Sequence, residues 1–397
     1  MKISPSIRSN IFINAHPIGC KMFVQRQVEE TKSLNHFEGP KNVLILGGSS
    51  GYGLASRIAL AFNAKANTIN VSFESPPKGK RSGTAGWWNN IYFQEYAQET
   101  NQLHKDFIGD AFSSAMREDV INYLKRENIK LDLVIYSLAA GARKDETTNE
   151  TVRSHIKTID GPSEGKTIDV AKRRVEPLVV EDATQQEIDE TIFVMGGSGW
   201  QSWIDDLADH DCLAEQVKTI SYTYIGGPTT EKIYRKGTLG KAKEDLEETA
   251  LRLHKKLSST YSGEALISSS KAVVTKASVF IPQMPIYVSC LYDVMMRHNL
   301  HESIVKHKYR LFKDMVYGEK RIMDSKRRIR LDHYEMQKDI QEETVSMMFS
   351  LSDEALFELN GTKAFFEEFY QIHGFSFPTI DYDADVDMDA LSKKTLK

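Results

Sequence analysis

Short apolar runs alternate with amphipathic stretches along much of the chain. Residues 42–47 (NVLILG) are a short apolar run, followed by glycines and then by LASRIALAF, whose apolar positions recur at helical spacing. That order predicts a buried parallel strand entering a helix. Further strands are predicted at 68–74 (TINVSFE), 104–109, 131–138 (LDLVIYSL), 216–225 and 264–269 (EALISS), with helices between them, one over about 114–127. Strands alternating with helices imply right-handed crossovers and a doubly wound, mostly parallel α/β sheet with helices on both faces.

The alternation breaks at about 142–190, a polar segment rich in Lys, Glu, Asp and Thr. It is long for a connection between sheet elements, which predicts an insertion or small subdomain. Residues 301–397 are helical in pattern and end in an acidic tail. The most apolar later stretch, 272–296, carries Lys276, Pro282, Pro285 and Asp293 and reads as a buried helix rather than a bilayer span. No Pro/Gly-rich linker divides the 397 residues, so one elaborated domain is expected.

Composition narrows the function classes. The chain is 41% hydrophobic and 27% charged, with a formal net charge of −4, which gives no general reason to expect binding to nucleic acid or an anionic membrane. Its three cysteines, Cys20, Cys212 and Cys290, are far apart and form no CxxC pair, which argues against a disulfide framework or structural zinc and fits a reducing compartment. The first twenty residues lack an apolar run long enough for a signal peptide, so a cytoplasmic location is expected. No HExxH or matching acid–cysteine cluster points to a metal. The tail DADVDMD (383–389) lacks the glycine of a calcium loop and reads as a solvated acidic end. The basic segment 306–330 reads as a solvated helix face, with an acidic carrier protein or nucleic acid as the functional alternative.

Two places carry chemistry. Residues 47–53 (GGSSGYG) follow the first strand directly, with spacing G-x3-G-x-G through Gly47, Gly51 and Gly53. Glycines let backbone N–H groups approach a pyrophosphate, and the following helix N-terminus adds partial positive charge. The alternative is a plain strand–helix turn; the strand before and helix after favour a Rossmann-type dinucleotide site. Glu74, at the end of the second strand, suits the adenosine ribose hydroxyls and would repel a 2′-phosphate, favouring NADH over NADPH. Asp110-Ala111 and Leu138-Ala139 follow the third and fourth strands, where further cofactor contacts are expected.

The second place is 221–245 (SYTYIGGPTTEKIYRKGTLGKAKED). A helix is expected to start near Thr238, with its hydroxyl as N-cap. Arg235, Lys236, Lys241 and Lys243 crowd that start, against the helix dipole, which points to an anion nearby; the alternative is a basic edge balanced by Glu231, Glu244 and Asp245. Tyr234 and Lys243 enclose eight residues, placing the tyrosine before the helix and the lysine within it. A phenol beside an ammonium is a means of stabilising a developing oxyanion.

These residues resemble the FabV-type trans-2-enoyl-CoA/enoyl-ACP reductases over residues 7 to 390. The matching stretches include IRSNIFINAHPIGC (7–20), GSSGYGLASR (48–57), SGTAGWWN (82–89), VMGGSGW (194–200), IYRKGTLGKAKEDLE (233–247) and KAVVTKASVFIPQMPIY (271–287). The resemblance implies Tyr234 as catalytic acid or oxyanion stabiliser, Lys243 as its support and a nicotinamide-ribose ligand, and Tyr224 as the contact to the thioester carbonyl. It implies that Gly47, Gly48, Ser49, Ser50, Gly51, Tyr52, Phe73, Glu74, Asp110, Ala111, Leu138 and Ala139 line the NADH site, and that Val273, Val274 and Thr275 close over the nicotinamide. It further implies a monomer acting on enoyl-CoA or enoyl-acyl carrier protein in fatty acid biosynthesis. The regions would be a 40–140 NADH-binding core, a 141–215 insertion, a 216–300 catalytic region and a 301–397 helical extension. Gly48, Glu231-Lys232 and Ala140-Gly141 depart from the family pattern; the last two lie near the expected substrate mouth and bear on acyl preference. Rival functions are a carbonyl or ketoacyl reductase, against which the lack of Tyr-x3-Lys speaks, and an NADH-sensing binding protein.

Overall fold

The computed structural model describes residues 1–8 and 10–396. Its centre is a parallel sheet of β1 (Asn42–Leu46), β2 (Asn67–Ser72), β3 (His104–Ile108), β4 (Leu131–Tyr136), β5 (Leu213–Thr223), β6 (Glu264–Ser269) and β7 (Arg328–Arg330). The spatial order is β7-β6-β5-β4-β1-β2-β3, so the strand order reverses between β1 and β4. At such a switch point, turns at the carboxyl ends of the strands open a crevice for ligand.

Alternate side chains of β1 feed two cores. Leu44 and Leu46 join Trp200, Trp203 and Leu246 on one face, while Val43 and Ile45 join Leu60, Leu311 and Phe312 on the other. Both faces are covered, which is why these strands read as continuous apolar runs. The longer helices are α1 (Pro17–Lys32), α2 (Gly51–Asn63), α3 (Ala85–Ala97), α4 (Ser114–Arg126), α5 (Gln185–Met195), α6 (Ser198–Asp209), α7 (Thr238–Tyr261), α8 (Met284–Arg297), α9 (Ile304–Arg310), α10 (Lys338–Ser350) and α11 (Asn360–Gln371). No helix of the described residues is long and apolar enough to cross a membrane.

The polar segment at 142–190 has its own structure. Two antiparallel hairpins, Ala142–Lys144 with Thr151–Arg153 and Ser163–Asp169 with Arg174–Val180, lead into α5. Three expectations are corrected. The 301–397 extension is not all helical, because Arg328–Arg330 pairs with β6 and completes the sheet edge. The 272–296 stretch is not one helix: residues 272–283 are mainly loop, and the helix begins at Met284 with Pro285 in its first turn, where the missing N–H costs nothing. The 306–330 segment is not a solvated face, since His307 and Lys308 are fully buried and Arg310 pairs with Glu302.

The edge strand β3 is tied to α2 by a fully buried ion pair. Arg57 donates to both Asp106 carboxylate oxygens, at 2.7 and 3.0 Å, and Asn70 and Gln94 donate to the same carboxylate. Asp106→Ala therefore leaves a buried guanidinium without its anion and is expected to cost about 3–5 kcal/mol, read by denaturant unfolding. An Asp106→Ala variant as stable as the parent would show that the pair is dispensable.

Candidate active site

The glycine turn sits where β1 meets α2. Gly47 has φ 92°, and a side chain there would lie 2.4 Å from the Ser137 carbonyl oxygen at the end of β4. Gly53 packs against Gly47, 2.0 Å from its carbonyl oxygen for an added Cβ. The N-cap residue Ser50 makes no side-chain cap bond, so amides of the first turn of α2 remain open to an outside acceptor. Gly48 donates its N–H to Asn70 Oδ1 at 2.8 Å, and a Cβ at this position would stand 2.5 Å from that same oxygen.

Glu74 lies two residues beyond β2 rather than ending it. Its carboxylate reaches back to the turn, accepting from Ser49 Oγ at 2.6 Å and from the Thr84 hydroxyl. Phe73 is 80% exposed. Asp110 accepts from the Phe112 N–H at 2.9 Å, and Ala111 is buried with its carbonyl accepting from Trp203. Leu138 is partly buried and Ala139 exposed at the end of β4. Tyr52 donates to the Lys271 carbonyl at 2.5 Å, fastening α2 to the segment that carries Val273, Val274 and Thr275. Thr275 Cγ2 stands 3.4 Å from the position a Gly51 Cβ would take. Turn, Glu74 and the 273–275 segment thus border one end of the sheet, and their open amides and acidic end suit a dinucleotide. A cavity of about 370 Å³ touches Gly51, Val273 and Val274 and is backed by Tyr292 and Glu368. Tyr224, Tyr234 and Lys243 do not line it.

Tyr234 precedes α7 and Lys243 lies inside it, as the spacing predicts. The expected cap is different: Gly237 is the N-cap and Thr238 is the first helical residue. The Thr238 hydroxyl instead donates to the His155 carbonyl and accepts from the Lys157 N–H at 3.1 Å, pinning the insertion to the start of α7. Most of the basic cluster is also spent internally. Arg235 forms a bidentate pair with Glu247 at 2.8 and 2.9 Å, Lys236 pairs with Glu231, and Lys241 pairs with Glu244. Lys243 is the exception. It is buried, and among the described residues its ammonium donates to the Tyr222 carbonyl alone, at 3.4 Å. Burial pulls that ammonium down to about 8, against the pull of Glu247.

The Tyr234 ring packs edge-on against Tyr224, 5.0 Å between centroids and 88° between planes. Burial raises both phenols above their usual value, so both are neutral donors near neutral pH. Sequence reasoning missed the group behind them. Glu335 is fully buried in the C-terminal region and accepts from Tyr224 at 3.1 Å, from Tyr287 at 2.7 Å and from the Ala272 N–H at 2.6 Å. Nothing in the local pattern HYEMQKD marks it, because its partners lie far away along the chain.

The departures other than Gly48 touch the insertion. Lys232 donates to the Pro162 carbonyl at 2.9 Å, and the Gly141 carbonyl accepts from the Ser154 N–H at 3.1 Å. Both fix the hairpins that border the tyrosines.

Comparison with known proteins supplies the family. Residues 81–317 match the model described as the trans-2-enoyl-CoA reductase catalytic region, and residues 2–79 match the NAD(P)H binding domain of trans-2-enoyl-CoA reductase. The chain is 42% identical over 395 residues to the trans-2-enoyl-CoA reductase [NADH] of Clostridium beijerinckii, covering 99% of both chains. The chain belongs to the trans-2-enoyl-CoA reductase family. It is likewise 42% identical to an enoyl-[acyl-carrier-protein] reductase [NADH] of Photobacterium profundum, again over 99% of each. The Clostridium acetobutylicum trans-2-enoyl-CoA reductase, solved in complex with NADH, superposes with a TM-score of 0.97 at 42% identity, covering 100% of both chains. The Treponema denticola enzyme, solved with NAD, gives 0.91 at 38% identity, covering 97% of this chain and 98% of that one. A third model, described as an enoyl reductase FAD binding domain, matches residues 323–386. These residues do not fit a flavin. They form β7 and helices closed against α8, and their Gly361 serves that packing, 2.0 Å from the Ser289 carbonyl oxygen for an added Cβ.

Proposed function

We propose that this chain reduces the 2,3 double bond of trans-2-enoyl thioesters, carried on CoA or acyl carrier protein, with NADH, and that Tyr234, Lys243 and Tyr224 perform the protein's part. The observation that carries the assignment of residues is the edge-on packing of two buried, neutral phenols, Tyr234 and Tyr224, at the carboxyl end of β5, where the buried Lys243 ammonium donates to the Tyr222 carbonyl, the same end of the sheet as the glycine turn. Bound NADH supplies a hydride for the β-carbon of the substrate. The residues of the chain handle the charge that moves to the thioester oxygen. Tyr234 and Tyr224 hydrogen-bond that oxygen, and a phenol proton is available for the α-carbon. Lys243 holds the nicotinamide ribose and keeps positive potential beside Tyr234. The open amides at the start of α2 bind the pyrophosphate, Glu74 takes the adenosine ribose hydroxyls, and Asp110-Ala111 and Leu138-Ala139 complete the cofactor groove. Val273, Val274 and Thr275 cover the nicotinamide side. The enzyme works as a cytoplasmic monomer in fatty acid synthesis.

Steady-state NADH oxidation with trans-2-butenoyl-CoA, against acetoacetyl-CoA as the ketoacyl control, tests the reaction class. Turnover with the first and none with the second is expected, and the reverse would overturn it. Glu74→Ser removes the charge facing a 2′-phosphate. Its kcat/KM ratio of NADH to NADPH is expected to fall by at least about tenfold, since one repelling charge is worth about 1–2 kcal/mol in a partly buried site. An unchanged ratio would place the discrimination elsewhere.

A further inference from the structure

Glu335 sits at the centre of a buried hydrogen-bonded chain whose direction can be read. Gln341 Nε2 donates to the Tyr287 hydroxyl at 2.9 Å and to the Glu335 carbonyl, also at 2.9 Å. Tyr287, its oxygen already an acceptor, donates to Glu335 Oε1 at 2.7 Å. The other carboxylate oxygen, Oε2, is held by the Ala272 N–H. Tyr224 completes the set at 3.1 Å from Oε1. While Glu335 is ionised, the Tyr224 hydrogen is committed to it and unavailable to a thioester oxygen. Once Glu335 carries a proton on Oε1, that proton points to Tyr224, because Tyr287 is oriented the other way by Gln341. The Tyr224 hydrogen is then free for the substrate.

Resting on the enoyl-reductase reading of this site, we propose that Glu335 is a proton relay residue acting through Tyr224. As the enolate is protonated, the Tyr224 O–H bond breaks and a C–H bond forms at the α-carbon. The Glu335 O–H bond breaks and the phenol O–H bond re-forms, leaving a carboxylate. The carboxylate regains a proton from water through Tyr224 after product leaves. Burial, opposed by the Tyr287 and Ala272 hydrogen bonds, holds the Glu335 carboxyl up at about 7. The charged and titratable groups around it are Tyr224 just after β5, Tyr287 on α8, Lys271 after β6, Tyr52 on α2, and Asp332 and Arg330 beside it. Asp332 is itself paired with Arg330 at 2.8 Å.

The test uses the full chain, Glu335→Gln and Tyr287→Phe. Glutamine keeps a neutral donor toward Tyr224 but passes no proton. Expected for Glu335→Gln are a kcat roughly 100-fold lower, KM for the enoyl thioester little changed, and loss of the descending pH limb near 7, leaving only the later limb of Lys243. Tyr287→Phe removes a bond that favours the carboxylate, so its limb moves to higher pH. Difference infrared spectroscopy without substrate gives a second reading. A protonated-carboxyl band is expected in the parent below pH about 7, fading above it and missing in Glu335→Gln. Parental kcat and pH profile in Glu335→Gln, or no such band in the parent, would overturn the relay. Should Glu335→Gln not fold, an unmoved limb in Tyr287→Phe overturns it equally. A parent that does not oxidise NADH with enoyl thioesters refutes the reaction class instead, while the infrared titration still judges the state of Glu335.

Discussion

Tyr234→Phe is expected to lower kcat for trans-2-butenoyl-CoA by roughly 10²- to 10³-fold while leaving the NADH dissociation constant nearly unchanged. The physical basis is a single hydroxyl. Its ring is held in place by packing against Tyr224 at 5.0 Å, and its phenol stays neutral because burial disfavours the charged form. Phenylalanine keeps that packing and removes only the donor. A preorganised donor to a developing oxyanion is worth about 3–4 kcal/mol of barrier in a water-poor site. With Tyr234 assigned to the substrate and not to the cofactor, NADH binding measured by fluorescence titration is expected to stay intact. Near-parental turnover would remove Tyr234 from the chemistry.

Lys243→Met has the second large effect, of a different kind. Methionine approximates the length of the stem and fits a buried slot, but the charge is gone. Both NADH affinity and kcat are expected to fall, with kcat/KM lower by roughly 10³-fold, the loss of a charge-assisted bond and of the potential beside Tyr234 together. The fold should not suffer. Glu247, the acid that acts on this ammonium, is already paired with Arg235 and Arg328, and the hydrogen bond lost among the described residues is to the Tyr222 carbonyl. Removing a desolvated cation without a carboxylate partner is expected to hold or raise stability, the usual sign of a residue kept for function. The pH profile gives the same residue a second test. Its ammonium is protonated below about 8 and neutral above it, so activity is present on the acid side and lost as pH rises through that value. Lys243→Met should lack that limb.

The sheet and the glycine turn were legible because their causes are local. The inner strands β1, β2 and β4 are short runs buried on both faces, and each leads into a helix or turn, whereas the edge strand β3 (HKDFI) is only partly buried. The ends were less legible. β5 begins earlier, at Leu213, because its register shifts between Leu213 and Lys218 and interrupts the pattern. β7 is only Arg328, Ile329 and Arg330, too short and too basic to register as a strand. Tyr234 and Lys243 were readable from spacing and resemblance, yet the surplus of cations around them was misleading. Arg235 answers Glu247 twelve residues on, a pairing that a search of adjacent acids does not find. Lys308 looked like a surface charge and lies 3.6 Å over the Tyr222 ring, donating to Ser270. Glu335 was invisible for the same reason on a larger scale. Its partners Tyr224, Ala272 and Tyr287 come from three separate elements, and only the fold brings them together.

The central claim is that hydride from NADH reaches the β-carbon of an enoyl thioester held by Tyr234 and Tyr224. The most direct measurement is mass spectrometry of the product formed from trans-2-butenoyl-CoA with NADH deuterated at C4 in ordinary water. One deuterium at the β-carbon of a saturated thioester, with a solvent proton at the α-carbon, is the predicted result. Label at the α-carbon, or a product that keeps its double bond, would contradict it.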